Sequence, residues 1–280
     1  MAKIVWDKPN ILHGIKKVIL KELIQKFKEI SLSDDIQIVI VTGKEDAFFT
    51  EFQNSIFNEI NDENDFYYTM ELINELIITL YNMPKITIAG INGKASGLGL
   101  SLALATDHIL VSESSQIVLN TLEQGIIPVG GAHFFLERRL GEDRARHLIW
   151  ETRTLSAIDA KQLYLINEIA SGNLQQAIDQ KVEQWTLKPI LAMIKTKKIL
   201  GEKNRPHLLK MLELEKYALY RMMQTEETIK NVVRHERRIE SLVIQGDKES
   251  YYKGLCQEPF LEFLLTFCKK RFYLNLYTFK

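Results

Sequence analysis

The segment 92-NGKASGLGLSLALATD-107 has glycines that could expose backbone N–H groups to a ligand, but it has few side chains that could transfer a proton. Gly97 and Gly99 stand where an apolar strand-like run gives way to an apolar helix-like run, which has the hydroxyl of Ser101 in its middle. The first N–H groups of a helix lack partners within it and carry a partial positive charge, so such a start can hold an anion or a developing oxyanion. Glycine lets a ligand approach the backbone closely, although it could equally serve only close helix–sheet packing.

The spacing of these glycines does not fit the common nucleotide-binding motifs. Leu102 stands where G-x-G-x-x-G needs its third glycine, and no Gly-Lys-Ser/Thr sequence follows. Cys256 and Cys268 have neither C-x-x-C spacing nor a nearby histidine pair, so neither a disulfide framework nor a zinc site is indicated. We therefore expect no bound cofactor and no metal.

The composition is that of an ordinary globular protein. A chain of 280 residues with 46% hydrophobic content can form one large core, and one domain is the default. Lys+Arg and Asp+Glu both number 36, so the zero net charge gives no sign of a nucleic-acid partner. Because the N-terminal residues lack a signal-peptide pattern and no run of about 18 apolar residues occurs, we expect a cytoplasmic protein without a transmembrane segment.

Strands and helices alternate through the first half of the chain. Short β-branched or apolar runs predict strands at 3–6, 36–43, 85–92, 108–112 and 116–119. Apolar residues at helical spacing predict helices at 15–30, 66–83 and 97–106. This alternation predicts an α/β fold with a largely parallel sheet.

Helices dominate from about residue 132 onward, among them separate helices at 191–200 and 208–223. We expect an α/β core over 1–185, a C-terminal helical oligomerisation region over 186–243 and an atypical tail over 244–280. The end of that tail is apolar, aromatic and cationic without a regular period. It is either a segment that binds a partner or a membrane surface, or the product of an altered reading frame.

The stretches 86–119 and 125–170 strongly resemble the crotonase, or enoyl-CoA hydratase/isomerase, superfamily. The resemblance rests on the order of its motifs: a strand ending in Asn-Gly, the glycine-rich helix start, Asp107, a Gly-x-x-Pro-x-Gly-Gly turn, and Leu-Ser-Ala-x-x-Ala before a further strand. It extends over roughly residues 2–225. It implies repeated ββα units with a C-terminal helical region that supports trimers or hexamers. It also implies an acyl-CoA substrate, with lyase or isomerase chemistry of the kind found in fatty acid metabolism.

In this family two backbone N–H groups hold the thioester carbonyl and stabilise an enolate. Carried over by position, one donor is the N–H of Leu98, between Gly97 and Gly99, where relatives usually have glycine. The other is the N–H of Phe52, preceded by Glu51 where relatives have glycine. A glutamate at a position that requires positive φ would be strained, or the loop would be rebuilt.

The family's acid/base positions carry no carboxylate here. Hydratases have glutamates at the positions of Ser101 and Thr121, and some isomerases have an aspartate at that of Val129. General acid/base catalysis is typically worth about 10² to 10⁴-fold, so ordinary two-glutamate hydration is not expected. Glu123 would lie on the same face as Thr121 if the segment were extended, and it is either a replacement acid or a solvent-facing loop carboxylate. His133, after the Gly-Gly turn, could enter the pocket, or it could pack or cap its helix.

The sequence thus predicts an acyl-CoA-binding crotonase-fold protein that acts mainly through backbone N–H groups. If it is an enzyme, isomerisation, decarboxylation or thioester hydrolysis is favoured over hydration. The alternative is a catalytically inert acyl-CoA-binding or scaffold protein that retains the fold and the trimer. A decayed copy without a stable function is a third possibility, suggested by the unusual chain ends.

Overall fold

A computed structural model of the protein describes residues 1–6, 17–44, 48, 60 and 62–224. The strands are β1 Ala2–Trp6, β2 Ile38–Gly43, β3 Ile86–Ile91, β4 Lys94–Ser96, β5 His108–Val111, β6 Gln116–Val118, β7 Thr154–Ser156 and β8 Glu168–Ile169. The helices are α1 Lys17–Leu32, α2 Glu63–Tyr81, α3 Gly97–Leu104, α4 Ala132–Leu140, α5 Glu142–Trp150, α6 Ala157–Gln162, α7 Leu174–Thr186 and α8 Ile190–Met223, with a short 3-10 helix at Leu122–Gln124. Within these ranges no helix is both long and apolar enough to cross a membrane.

The strands form two sheets. The first has five strands in the order β1-β2-β3-β5-β8, and every neighbouring pair in it is parallel. The second has three strands in the order β4-β6-β7, with β4 and β6 parallel and β6 and β7 antiparallel. The predicted α/β architecture with a largely parallel sheet is therefore confirmed.

Both faces of the five-stranded sheet are covered, which explains why its central strands are mostly apolar on both faces. Val39 and Val41 of β2 join the larger hydrophobic cluster, which includes residues of α1 to α4. Ile38 and Ile40 point the other way and join a smaller cluster with Ile178 of α7. Successive residues of a strand face opposite sides, so one continuous apolar run fills two cores.

Two features of the fold differ from the sequence prediction. The small sheet was predicted only in part, because strands of three residues such as β4 and β7 are too short to produce a periodic pattern. The helices predicted at 191–200 and 208–223 are wrong as separate elements, because α8 runs through both with Pro206 inside it. Proline disrupts helix interiors, but buried residues on both sides of it, Ile190 before and Leu208 after, hold the two halves to the protein.

Asp107 follows the C-terminal end of α3, where a carboxylate is unfavourable with the helix dipole unless it has a partner. Its Oδ2 atom accepts hydrogen bonds from the backbone N and the Oγ1 of Thr87, both at 2.8 Å. The Nζ of Lys197 lies 2.8 Å from the same oxygen. Burial lowers the pKa of Lys197, against the opposing effect of Asp107. The carboxylate therefore ties α3, β3 and α8 together.

His108 is a buried histidine at the start of β5, with 8% of its surface exposed. Its ring packs edge-on against Trp185 with a centroid distance of 5.1 Å, and its Nε2 atom lies 3.6 Å from Glu168 Oε1. Burial lowers the pKa of His108 from 6.5 to about 4, although Glu168 acts in the opposite direction. The folded protein therefore keeps this imidazole neutral at pH values where the unfolded chain would protonate it.

This pKa difference predicts a pH-dependent loss of stability. A histidine with a depressed folded-state pKa contributes its full stabilisation above pH 6.5 and loses it as the pH falls toward about 4. His108→Gln should remove this component, which amounts to at most about 1.4 kcal/mol per pH unit. Urea unfolding at several pH values in this window measures how the free energy of unfolding changes with pH. The control is His147→Gln, at an exposed histidine, which should keep the wild-type slope of free energy against pH. Equal slopes for His108→Gln and wild type would contradict the prediction.

Candidate functional site

At the start of α3, the described residues supply no hydrogen-bond acceptor for the backbone N–H groups of Gly97 and Leu98. Ser96 stands at the N-cap in an extended conformation, and its side chain makes no capping hydrogen bond. Gly97 has a positive φ of 51° at the turn from β4 into the helix. The first four N–H groups of an α-helix have no partner within the helix, and that of Leu98 is the second of these. The helix dipole adds a partial positive charge at the same place.

The side chain of Leu98 is buried beneath the turn that precedes α4. It is 1% exposed, and a methyl group built on Gly130 would lie 2.7 Å from its Cδ1. The same methyl group would lie 3.2 Å from Ser101 Cβ and 3.5 Å from Ile77 Cγ1. Leu98 stands where the family usually has glycine. Its side chain packs in the core against the turn, and its N–H remains at the helix start.

Two of the three positions without carboxylates, Ser101 and Val129, lie in this same region. Ser101 is 1% exposed, and its Oγ donates a hydrogen bond of 2.7 Å to the carbonyl of Val129. Val129 is itself buried. Thr121 is also buried, and no hydrogen bond of its hydroxyl group is found among the described residues. The serine at the hydratase glutamate position thus joins α3 to the turn.

Glu123 does not reach the pocket in the way that the sequence suggested. That interpretation assumed an extended segment, and the assumption is wrong because Thr121 has helical dihedrals and precedes the 3-10 helix Leu122–Gln124. Glu123 is exposed, and its Oε1 accepts a hydrogen bond of 3.1 Å from Thr152 Oγ1. This geometry agrees with the alternative of a solvent-facing loop carboxylate and gives no support to an acid/base role.

A buried carboxylate from the C-terminal helix holds the Gly-Gly turn from the other side. Gly130 and Gly131 both adopt positive φ, at 73° and 75°. Glu215 of α8 is 3% exposed, and its Oε2 accepts a hydrogen bond of 2.7 Å from the backbone N of Gly131. Its Oε1 accepts one of 3.1 Å from the backbone N of His133 and lies 2.7 Å from His133 Nδ1. Glu215 therefore satisfies N–H groups at the start of α4, which the glycine N-cap cannot do.

Sequence reasoning overlooked Glu215, although a signal was present. Leu208, Leu212 and Leu219 form the buried stripe of α8, and Glu215 occupies the position between the last two. A charge within an apolar helical stripe must find a partner when it is buried. The pattern alone could have marked Glu215 as paired, but it could not identify the partner.

The described structure thus brings together residues 97–101 and 129–131, and it places His133 beside Glu215. The first predicted oxyanion donor, Phe52, and its neighbour Glu51 lie outside the described residues. The tail over 244–280 lies outside them as well. The described part of the candidate site therefore consists of one helix start and the turn that packs on it.

This combination of sheet, helix start and Gly-Gly turn defines a protein of the crotonase fold. The solved enoyl-CoA hydratase from Bacillus halodurans matches it with a TM-score of 0.77 at 25% identity, over 83% of this chain and 96% of that one. A Thermobifida fusca YX protein solved in complex with acetoacetyl-CoA matches with a TM-score of 0.63 at 23% identity, over 77% and 89%.

The chain belongs to the enoyl-CoA hydratase/isomerase family, whose sequence model matches residues 1–241. Among its relatives is YhaR of Bacillus subtilis (strain 168), whose name places it provisionally among the enoyl-CoA hydratases/isomerases. The two proteins are 33% identical over 227 residues, which is 81% of this chain and 89% of YhaR. The resemblance read from the motifs is therefore confirmed, whereas the roles of the individual site residues stay predictions.

The packing of the turn on α3 predicts that Gly130→Ala is strongly destabilising. Gly172→Ala is a matched control, because Gly172 also has a positive φ, at 84°, but no atom of the described residues lies within 4 Å of its Cβ position. Both variants should lose about 1–2 kcal/mol from the left-handed backbone. Gly130→Ala should lose a further 1–3 kcal/mol, roughly, from overpacking against Leu98. Chemical denaturation measures the difference, and equal losses in the two variants would show that the contact is not tight.

Proposed function

We propose that this protein binds an acyl-CoA thioester and stabilises its enolate with the backbone N–H of Leu98. The observation that carries the proposal is the helix start at Gly97, where Ser96 makes no side-chain cap and the Leu98 side chain is turned into the core. Membership of the enoyl-CoA hydratase/isomerase family supports an acyl-CoA substrate. The neighbour from Thermobifida fusca, solved with acetoacetyl-CoA, gives further support at the level of the fold.

The proposed chemistry is electrostatic stabilisation of negative charge on the thioester oxygen. Loss of a proton from the carbon beside the carbonyl, or of a carboxylate group, places charge on that oxygen. An N–H group fixed at a helix start needs no reorganisation to meet the charge, and removing one such donor typically costs about 3–4 kcal/mol of barrier. We assign the second donor to Phe52, as the family resemblance implies.

The reaction should be isomerisation, decarboxylation or thioester hydrolysis rather than two-glutamate hydration. Hydration in this family depends on carboxylates at positions that here hold Ser101 and Thr121. The hydroxyl of Ser101 donates a hydrogen bond to the carbonyl of Val129, and this structural contact competes with any proton transfer by the same hydroxyl. We further expect assembly as a homotrimer or hexamer in the cytoplasm, with coenzyme A entering only as part of the substrate.

A catalytically inert acyl-CoA-binding or scaffold protein is the second candidate. The observation that favours it is that Ser101, Thr121 and Val129 all lack carboxylates and are all buried. Such a protein would bind acyl-CoA without turning it over. Its cellular role would be unaffected by Ser101→Ala or Thr121→Ala variants that remain folded.

Binding and turnover measured on the same preparation separate the two candidates. Calorimetry with crotonyl-CoA and free CoA tests binding, and chromatographic product analysis with crotonyl-CoA, a 3-enoyl-CoA and malonyl-CoA tests turnover. We expect tighter binding of the thioester than of free CoA, and conversion of the 3-enoyl-CoA faster than hydration of crotonyl-CoA. Binding without turnover of any substrate would establish the scaffold candidate. Absence of binding would rule out both.

A pair of substitutions at Leu98 tests the backbone donor directly. Leu98→Ala removes most of the side chain and keeps the N–H, whereas Leu98→Pro removes both and is compatible with the first turn of a helix. For variants shown by circular dichroism to be folded, kcat of Leu98→Pro should fall about 10² to 10³-fold below that of Leu98→Ala. Equal kcat values in the two variants would show that the N–H of Leu98 does not stabilise the oxyanion.

A further inference from the structure

His133 and Glu215 form a hydrogen-bonded pair beside the Gly-Gly turn. His133 lies in the first turn of α4, and its Nδ1 atom is 2.7 Å from Glu215 Oε1. Glu215 is 3% exposed and also accepts hydrogen bonds from two backbone N–H groups, so its position is fixed by three contacts. One nitrogen of the imidazole is thus hydrogen-bonded to a carboxylate that is itself held in place.

The contact with Glu215 determines which nitrogen of His133 is free to act. A carboxylate only accepts hydrogen bonds, so Nδ1 carries the proton of this contact, and in the neutral imidazole Nε2 then has the lone pair. Among the described residues no hydrogen bond to Nε2 is found, and the His133 side chain is 30% exposed. A base oriented by a third group in this way is the arrangement that catalytic histidines use.

The pair lies at the Gly-Gly turn, which packs against the helix that carries the proposed oxyanion donor. His133 follows Gly130 by three residues, which limits the separation of their Cα atoms to about 11 Å. The Cβ position of Gly130 is in turn 2.7 Å from Leu98 Cδ1. The three positions where relatives carry carboxylates offer no competing base.

We propose that His133 is the proton-transfer residue of this site, with Glu215 as its positioning residue. This inference rests on the proposed function. With a 3-enoyl thioester, Nε2 takes a proton from C2, and the electron pair of that C–H bond moves into a dienolate whose charge lies on the thioester oxygen beside Leu98. The imidazolium then returns the proton to C4, the carbonyl re-forms, and the double bond lies between C2 and C3. No other reactant is consumed.

Substitution of His133 by two different amides provides the test. Asparagine can place an N–H near the position of Nδ1 and retain the contact with Glu215, but it has no group at Nε2. Glutamine is the second variant in case asparagine does not fold. We expect kcat for isomerisation of a 3-enoyl-CoA to fall by about 10² to 10⁴-fold in each folded variant, the range of general acid/base catalysis. The KM should change little, because binding depends on backbone groups.

The control variant is His207→Gln. His207 lies on α8, pairs with Glu137 at 3.6 Å and packs on Phe134, so it shares the surroundings of α4 but not the contact with Glu215. It should keep the wild-type kcat. Added imidazole should restore part of the activity of His133→Asn, and exchange of solvent deuterium into substrate C2 should fall together with kcat. A merely structural role of His133 would produce neither result.

Three outcomes would overturn the proposal. A kcat of folded His133→Asn within about threefold of wild type excludes His133 as the base. A wild-type protein that binds the 3-enoyl-CoA but neither isomerises it nor exchanges its C2 proton excludes proton transfer and leaves acyl-CoA binding intact. A wild-type protein that binds no acyl-CoA removes the proposed function, and the inference about His133 falls with it.

Discussion

The close approach of the Gly130 turn to the start of α3 is the constraint on which the candidate site depends. A single methyl group at Gly130 would lie 2.7 Å from Leu98 Cδ1, a distance that real Cβ atoms essentially never show. The positive φ of this glycine disfavours other residues for a second, independent reason. This packing places the turn, with Val129, directly against the helix whose first N–H groups are proposed to hold the thioester.

The turn is held from two elements that are distant in sequence. Ser101 of α3 binds the carbonyl of Val129, and Glu215 of α8 binds the N–H of Gly131, 84 residues away. A buried carboxylate is costly unless its hydrogen bonds are satisfied, and here three donors satisfy it. The C-terminal helix is therefore part of the framework of the site, in addition to any role in assembly.

Local patterns predicted the features that depend on neighbouring residues. The alternation of strands and helices and the helix start at Gly97 both follow from short stretches of sequence, and the structure agrees with each. The predictions failed where they assumed a backbone conformation that the local pattern did not specify. Glu123 was placed by assuming an extended segment that is in fact a 3-10 turn. The continuous helix α8 was predicted as two separate helices, at 191–200 and 208–223, and Pro206 lies between those two ranges.

The sequence by itself determined the family, the positions of the conformationally special glycines and the lack of carboxylates at Ser101, Thr121 and Val129. These properties are encoded in residue type and order, so they can be read without coordinates. Only the tertiary structure decided that Ser101 bonds to a backbone carbonyl, that Glu123 faces Thr152 and that Glu215 joins His133. Each of these is a contact between groups from different parts of the chain. Such contacts depend on how the elements pack, and the periodicity of one element does not specify its partner in another.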